Sequence, residues 1–149
     1  MVVSIGRNGM TITYRKAREE DENELLNLAA KLAASFKVER EAFSHVFQQV
    51  MQSEKMEVVV AEMEDGLVGY AYLLHHPAFY ANGTISWVEE LYVSDEYRGM
   101  SVGRQLMDEA ERLAVECGSR LIALATRRAG EFYASIGYEE SAIYYKKTF

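Results

Sequence analysis

A loop between a predicted strand and a predicted helix carries residue types that suit an anionic ligand. Residues 98–104 read Arg-Gly-Met-Ser-Val-Gly-Arg and follow the strand-like run 87–93. From Val102 the apolar residues recur with helical spacing until Gly118, which favours the end of a helix. The first N–H groups of a helix lack intrahelical partners, and glycines let a phosphate approach the backbone closely. The loop therefore predicts a phosphate cradle, to which Arg98 adds a fixed charge.

Two other kinds of phosphate loop do not fit this stretch. A Walker A loop ends in Gly-Lys-Ser or Gly-Lys-Thr, and the chain has no lysine between Lys55 and Lys146. A dinucleotide fingerprint places its first glycine at the very end of a strand and an acidic residue at the end of the next strand. Here a polar turn follows the first strand, and the next strand-like run ends at Thr126. Neither loop type is predicted.

Two further candidates for chemistry are a histidine pair and a cysteine. His75 and His76 are adjacent, and neighbouring strand residues point to opposite faces, so one ion would not easily reach both rings. We therefore predict no metal site. Cys117 is the one cysteine of the chain, which excludes an internal disulfide. Its place on the apolar face of the predicted helix favours a buried, inert thiol.

The composition is typical of a soluble globular protein. The chain has 149 residues, of which 49% are hydrophobic and 26% charged, and this predicts one domain over residues 1–149. No apolar run approaches the roughly 20 residues of a membrane helix, and no signal peptide opens the chain, so the expected location is cytoplasmic with no membrane partner. The formal net charge of −7 argues against a nucleic-acid partner. The sequence leaves a homodimer open.

The rest of the chain supplies the elements that must position the loop. Residues 1–9 lack periodicity and are predicted to be a loose leader. His75-His76-Pro77 is predicted to end the strand that precedes it. The other predicted elements are a strand at 11–15, helices with apolar faces at 25–33 and 43–51, strands at 57–63, 67–74 and 84–93, the helix from Val102, a strand at 120–125, a helix at 129–136 and two tail strands within 138–147. This order, β-α-α-β-β-β-α-β-α-β-β, predicts an α/β fold with a mixed sheet and flanking helices.

Two motifs and this element order resemble the GNAT superfamily of N-acyltransferases. The acyl-CoA motif of that family is Arg/Gln-x-x-Gly-x-Gly/Ala; Arg98 and Gly103 match it, and Ser101 replaces the middle glycine. A later family helix reads Asn-x-x-Ala-x-x-aromatic/Leu-Tyr and ends in Gly-Phe/Tyr. The residues that match it are Ala129, Phe132, Tyr133, Gly137 and Tyr138, with Thr126 in the asparagine position. The resemblance covers Thr11 to Phe149 and implies the GNAT fold, in which a mixed, mostly antiparallel sheet is flanked by helices.

The resemblance also implies a site for acetyl-CoA as cosubstrate. The N–H groups from Met100 to Arg104 and the Arg98 side chain would hold its pyrophosphate, and the backbone of Leu91 and Val93 would pair with its pantetheine arm. Ser101 is interpreted as a tolerated departure at a position with ordinary backbone geometry. Arg127 and Arg128 either touch the CoA phosphates or are solvated. The implied cofactor-binding residues are Leu91, Tyr92, Val93, Arg98, Gly99, Met100, Ser101, Val102, Gly103, Arg104, Thr126, Ala129 and Phe132.

Transfer to an amine additionally requires proton movement. An alkyl ammonium with a pKa of about 10 must lose a proton before it attacks, and a departing thiolate with a pKa of roughly 8.5 gains from receiving one. By family position, Glu89 is the predicted base and Tyr133 the predicted acid. Glu90, expected on the opposite face of the strand, and a water chain are the alternative bases. The backbone N–H of Leu91 is the candidate that polarises the thioester carbonyl.

The sequence therefore predicts an N-acetyltransferase that transfers an acetyl group from acetyl-CoA to a primary amine of a small molecule or a protein, by direct attack in a ternary complex. The alternative is a catalytically weak module that binds acyl-CoA for regulation or sensing. The identity of the acceptor cannot be read from the sequence. In this fold it would be shaped by the segment near Phe36 and Lys37 and by the tail, where Tyr144 and Tyr145 either line a pocket or pack.

Overall fold

A six-stranded sheet with helices on both faces forms the core of the protein. The computed structural model describes residues 2–6 and 9–149. Its strands and helices are β1 (Val2–Ile5), β2 (Thr11–Lys16), α1 (Glu22–Leu32), α2 (Arg40–Gln52), β3 (Met56–Met63), β4 (Gly66–Ala78), β5 (Gly83–Val93), α3 (Val102–Glu116), β6 (Ile122–Leu124) and α4 (Gly130–Ser135). The strands lie in the order β1 to β6; neighbours are antiparallel except β5 and β6, which are parallel. The predicted fold class is confirmed.

Alternation along the central strands divides the core into two layers. Val59 and Ala61 of β3 point to the face covered by α3, and Val60 between them points to the face covered by α1 and α2. Buried strand residues on both faces explain why these strands read as nearly continuous apolar runs. The α3 layer adjoins the predicted phosphate loop, and the α1–α2 layer adjoins a large cavity described below.

The predicted loose leader is wrong for residues 2–5. These residues form β1, which pairs with β2 from Val2 opposite Tyr14 to Ile5 opposite Thr11. Four residues are too few for a period to stand out in the sequence, and the partner strand supplies the hydrogen bonds that order them. Met1, Arg7 and Asn8, also within that prediction, lie outside the described residues.

The two predicted tail strands are also wrong. Residues 138–149, all of them described, form neither helix nor strand. The tail instead runs beside the segment between α1 and α2, where the Lys146 ammonium donates to the Ser35 hydroxyl at 2.8 Å. The side chains of Ile143, Tyr144 and Tyr145 are all exposed. The apolar residues that led to the strand prediction therefore do not form a buried face of a sheet.

β4 runs longer than predicted, through His75, His76 and Pro77 to Ala78. β3 begins at Met56, opposite Leu74, and the His75 N–H still donates to the Lys55 carbonyl at 2.8 Å, so beyond His75 β4 has a neighbour on one side only, namely β5. A proline is tolerated there because the missing N–H is not needed on the open side. β6 is shorter than predicted and has three residues.

α3 begins and ends where the sequence predicts, with Gly118 at a φ of 80° after its last turn. Cys117, however, is exposed, because it caps the helix one turn beyond the last core contacts of Leu113 and Ala114. The prediction of a buried thiol is therefore wrong. Among the described helices, of which α3 is the longest with 15 residues, none has the length and apolar character needed to cross a bilayer.

Candidate active site

β5 carries one residue more than its partner β4, and that residue is Glu89. Tyr72 pairs with Glu90 and Leu73 pairs with Val88, which leaves Glu89 as a β-bulge without a partner. Val88 packs in the α3 layer, whereas Glu90 turns towards the α1–α2 layer. Without the bulge Glu90 would share the face of Val88. The expectation that Glu89 and Glu90 point to opposite faces is therefore wrong, and both carboxylates line the same cavity.

The outer edge of β5 is open just after the bulge. The Ser94 N–H donates to the Val68 carbonyl of β4 at 2.8 Å, so alternation turns the backbone N–H and C=O of Leu91 and Val93 away from β4. β6 pairs with β5 over Ser86–Val88. Within the described chain, no strand pairs with the outer edge of β5 beyond Val88. This leaves backbone donors and acceptors at Leu91 and Val93 for another extended chain, while the Tyr92 side chain is buried among α1 and α2.

The predicted phosphate loop lies at the end of this open edge. Gly99 has a φ of 79°, and the fully buried Val102 anchors the first turn of α3 in the core. The Arg98 guanidinium is tied back to β5: its Nε donates to the Val93 carbonyl at 3.2 Å, and it lies 5.8 Å above the Tyr92 ring. The Nη2 atom of the same guanidinium lies 3.2 Å from a carboxylate oxygen of Asp95 and forms an ion pair with it. The side chain is still about 61% exposed, so its charge is accessible at the helix start.

Ser101, the residue before α3, has a φ of 63° and a ψ of 17°, in the left-handed region. The interpretation that its backbone is ordinary is therefore wrong. This geometry explains why the family has a glycine at this position: a residue with a Cβ in the left-handed region destabilises the folded state by about 1–2 kcal/mol. The chain accepts that cost here, and no side-chain capping hydrogen bond of Ser101 offsets it.

Because of this geometry, Ser101→Gly is expected to stabilise the protein. Relief of the left-handed strain outweighs the extra entropy that glycine gives the unfolded chain, for a net gain of about 0.5–1 kcal/mol. Ser94→Gly is the matched control, because Ser94 lies in the same loop at a φ of −56° and should lose about 0.4–1 kcal/mol. Urea unfolding of both variants measures this; a loss of stability for Ser101→Gly would contradict it.

The first turn of α3 and the helix α4 lie next to each other beside the loop. A Cβ built on Gly103 would lie 3.4 Å from Cζ of Phe132, so the first turn of α3 and the α4 ring are in near contact. The Thr126 hydroxyl accepts a hydrogen bond from the Ala129 N–H at 3.1 Å and so shapes the start of α4. Met100 is half-buried against the α3 layer and Arg104 is exposed. The predicted cofactor residues thus cluster around the open edge and the start of α3.

A cavity of about 920 Å³ lies on the other side of β5, between the sheet, α1, α2 and the tail. We call it the α1–α2 cavity. Its helical walls are apolar and include Leu25, Ala29, Leu32, Phe43, Phe47 and Val50. Its sheet wall carries Tyr70, Tyr72, Glu89 and Glu90, and the lining also includes Arg127, Lys146 and Lys147.

Glu89 and Glu90 are held differently within the α1–α2 cavity. Glu89 is exposed, and one of its oxygens accepts from the Trp87 indole at 2.8 Å. Glu90 is half-buried and accepts from the Tyr70 hydroxyl at 2.6 Å. Burial, followed by the charge and hydrogen bond of Glu90, raises the pKa of Tyr70 far above its usual range. Burial, followed by the charges of Glu89 and Glu90, also raises the pKa of Tyr72.

Tyr133 of α4 lies on the α3 side of the sheet. Its ring makes edge contacts with Phe132 at 4.9 Å and with Tyr138 at 5.8 Å between centroids. Burial raises the pKa of Tyr133 to about 12. The Tyr138 hydroxyl has a partner, since it donates to Glu111 at 2.8 Å. Within the described residues we find no hydrogen bond from the Tyr133 hydroxyl, so this group is available for a ligand.

Sequence analysis missed a polar chain beneath the site. Lys16 contacts Glu57 at 2.8 Å, Glu57 contacts His75 at 2.7 Å, and His75 contacts Ser86 of β5 at 2.6 Å. Ser86 in turn lies 2.7 Å from the hydroxyl of Ser119, next to β6. Burial opposes the charge of Glu57, but the hydrogen bonds from Lys16 and His75 outweigh it, so the pKa of Glu57 is lowered.

Ser86 and His75 are buried, so this chain of contacts lies within the core of the protein. It ties β5 to β6 just before the two strands separate. The sequence signal was limited to polar residues such as Glu57, His75 and Ser86 within largely apolar strands, which does not say which residues meet.

Comparison with known proteins places this geometry in a family. A family model described as "Acetyltransferase (GNAT) domain" matches residues 54–140, more than half of the chain. The fold is similar to that of a transcriptional regulator from Bacillus halodurans C-125, with 24% identity, a TM-score of 0.83, and coverage of 93% of this chain and 99% of the other.

Two N-acetyltransferases share the same fold. Glucosamine-6-phosphate N-acetyltransferase from Arabidopsis thaliana is 19% identical, with a TM-score of 0.83 and coverage of 93% and 98%. The aminoglycoside N-acetyltransferase AAC(6')-Iy, in complex with CoA, is 18% identical, with a TM-score of 0.82 and coverage of 95% and 97%.

Proposed function

The chain belongs to the GNAT acetyltransferase family, and we propose that it is an N-acetyltransferase that transfers the acetyl group of acetyl-CoA to a primary amine of a small molecule or a protein. Attack would be direct, within a ternary complex. The observation that carries this proposal is the arrangement around β5. An open strand edge runs from the bulge to the start of α3, and two carboxylates face a cavity beside it.

The residues along this edge fit the parts of acetyl-CoA. The outward backbone groups of Leu91 and Val93 suit the amides of an extended pantetheine arm. The unpaired N–H groups at the start of α3 and the exposed charge of Arg98 suit the pyrophosphate. Arg98 must loosen its bond to the Val93 carbonyl, or share that oxygen, when the arm binds. The Leu91 N–H is the proposed donor to the thioester oxygen.

The proposed proton transfers use the two sides of the sheet. Glu89 accepts a proton from the acceptor ammonium and, being exposed, passes it to solvent. Glu90, already engaged by Tyr70, attracts and orients the ammonium. As the new C–N bond forms and the C–S bond breaks, the nitrogen loses its second proton to Glu89, which again passes it to solvent. The Tyr133 hydroxyl gives its proton to the departing sulfur and regains one from solvent, so that CoA leaves as the thiol.

Acceptor-dependent release of CoA tests this function. Purified protein with acetyl-CoA and a panel of primary amines should release CoA and yield the N-acetylated amine, identified by mass spectrometry. Calorimetry with acetyl-CoA in the absence of amine provides the second measurement. Binding of acetyl-CoA without release to any amine would favour the alternative, a module that binds acyl-CoA for regulation or sensing.

Arg98→Ala is expected to weaken CoA binding about tenfold or more. It removes a charge-assisted contact of about 1.5–3 kcal/mol to the pyrophosphate. Lys31→Ala on the exposed side of α1 is the control, since it removes a positive charge elsewhere and should leave CoA affinity unchanged. The measurement is isothermal titration calorimetry with CoA.

Two variants at Gly103 test the same pyrophosphate site by adding side-chain atoms where the phosphates are proposed to approach the backbone. Gly103→Ala should be tolerated, because its Cβ meets the Phe132 ring at van der Waals distance. Gly103→Val adds methyl groups beside the first turn of α3 and should weaken CoA binding further. Unchanged CoA affinity in both Arg98→Ala and Gly103→Val, with circular dichroism showing folded protein, would contradict a pyrophosphate site here.

A further inference from the structure

The walls of the α1–α2 cavity bear on which amine the protein would acetylate under the proposed function. We infer that the acceptor is a monoamine on an apolar body, such as a medium-length alkyl or arylalkyl amine, and not a polyamine or an aminosugar. This inference rests on the proposed function and names the substrate class of the same site. It is carried by the charges, the hydrogen bonds and the apolar surface of the cavity.

The charged side chains of the cavity provide for one ammonium only. Two carboxylates, Glu89 and Glu90, lie side by side on the sheet wall, against three cationic side chains, Arg127, Lys146 and Lys147, on the same lining. A single ammonium at the carboxylates is attracted. The further ammonium groups of a polyamine would meet either the apolar walls, where a charge loses its hydration, or the cationic side chains, where repulsion is screened less than in bulk water.

Three of the four hydroxyl groups on the cavity lining already have a hydrogen-bond partner, and that of Thr148 has none among the described residues. Tyr70 donates to Glu90 at 2.6 Å, Tyr72 contacts the Met56 sulfur at 3.5 Å, and Ser35 accepts from Lys146 at 2.8 Å. The hydroxyls of an aminosugar would lose hydrogen bonds to water and find few free partners here. Burying a polar group without a partner is costly, so these walls discriminate against such substrates.

The helical walls supply the favourable contribution. Apolar side chains of α1 and α2, among them Leu32, Phe43 and Phe47, face the carboxylates across a space of about 920 Å³. That volume accommodates a ligand much longer than a simple short-chain amine. Each methylene moved from water onto such walls improves binding by about fourfold.

The test is a series of acceptors compared at a fixed pH with acetyl-CoA. Butylamine, hexylamine and octylamine are compared with spermidine and glucosamine, and kcat/KM is obtained from CoA release. We expect kcat/KM to rise about three- to fourfold per added methylene, and hexylamine to exceed both spermidine and glucosamine by at least tenfold. A flat chain-length series, or a preference for spermidine or glucosamine, overturns the inference while leaving the proposed function intact.

Two exposed aromatic residues provide matched variants. Phe36 lines the cavity and Phe79 lies outside it, and both are largely exposed, so neither substitution should unfold the protein. Phe36→Ala should lower kcat/KM severalfold for octylamine and little for butylamine, whereas Phe79→Ala should change neither. Equal effects of Phe36→Ala on both amines would count against apolar recognition.

Failure of the proposed function gives a different pattern. No CoA release with any amine would reject acetyl transfer, and the inference is then judged by calorimetry of octylamine and spermidine on the CoA-loaded protein. Tighter binding of octylamine, weakened by Phe36→Ala, supports an apolar amine site. Equal or tighter binding of spermidine rejects it.

Discussion

Glu89→Gln is expected to lower the rate of acetyl transfer at neutral pH by about a hundredfold or more. At that pH almost all of an alkyl amine with a pKa of about 10 is protonated and needs a base. Much of the loss should return as the pH approaches the pKa of the amine, because free amine then forms in solution. The measurement is a pH–rate profile of the variant and the parent protein on one good acceptor.

Glu90→Gln is the matched comparison, since it makes the same change one residue along the strand. Glu90 already accepts a hydrogen bond from Tyr70, so we expect its loss to raise KM for the amine more than it lowers kcat. If the pH-dependent deficit appears in Glu90→Gln and not in Glu89→Gln, Glu90 is the base. If neither variant shows it, a water chain carries the proton.

The bulge at Glu89 explains why two adjacent glutamates can work in one cavity. A regular strand would place one of them on each face. The extra residue turns Glu90 to the side of Tyr70 and leaves Glu89 unpaired at the point where β5 and β6 separate. The bulge thus directs both carboxylates into the cavity, and the open backbone edge of β5 begins at the same residue. Bulges of this kind are frequent next to active sites.

Much of the fold could be predicted from local patterns in the sequence. The helical spacing from Val102, with a glycine after the last turn, predicts α3 because the element is long and one of its faces is fully buried. The strands that became β3 and β5 were predicted within about one residue at each end. In these elements the local preference and the tertiary packing agree.

Features that depend on distant partners could not be predicted in this way. β1 is ordered by β2, and the tail alternates in sequence without a sheet to bury one face. The bulge at Glu89 is defined by the register against β4, which no local pattern reveals. The replacement of a family glycine by Ser101 suggested an ordinary backbone, although the chain keeps the left-handed geometry and accepts its cost.

Tyr133 lies on the opposite side of β5 from the α1–α2 cavity. Tyr133→Phe keeps the ring contacts with Phe132 and Tyr138, so the free energy of unfolding and the affinity for CoA should change little. The rate should fall by about a hundredfold, because the departing thiolate loses its proton donor. Burial raises the pKa of Tyr133 to about 12, so the neutral hydroxyl persists up to that pH and not only to its usual value of about 10.

The deficit of Tyr133→Phe should therefore remain constant from neutral pH to above pH 10, where the deficit of Glu89→Gln has largely disappeared. Tyr138→Phe is the matched control, because it removes a neighbouring hydroxyl that donates to Glu111. It should lower the free energy of unfolding by about 1 kcal/mol and leave the rate unchanged. Full activity of Tyr133→Phe would assign that hydroxyl no part in the transfer. A deficit that vanishes at high pH would mean that Tyr133 acts on the amine and not on the leaving group.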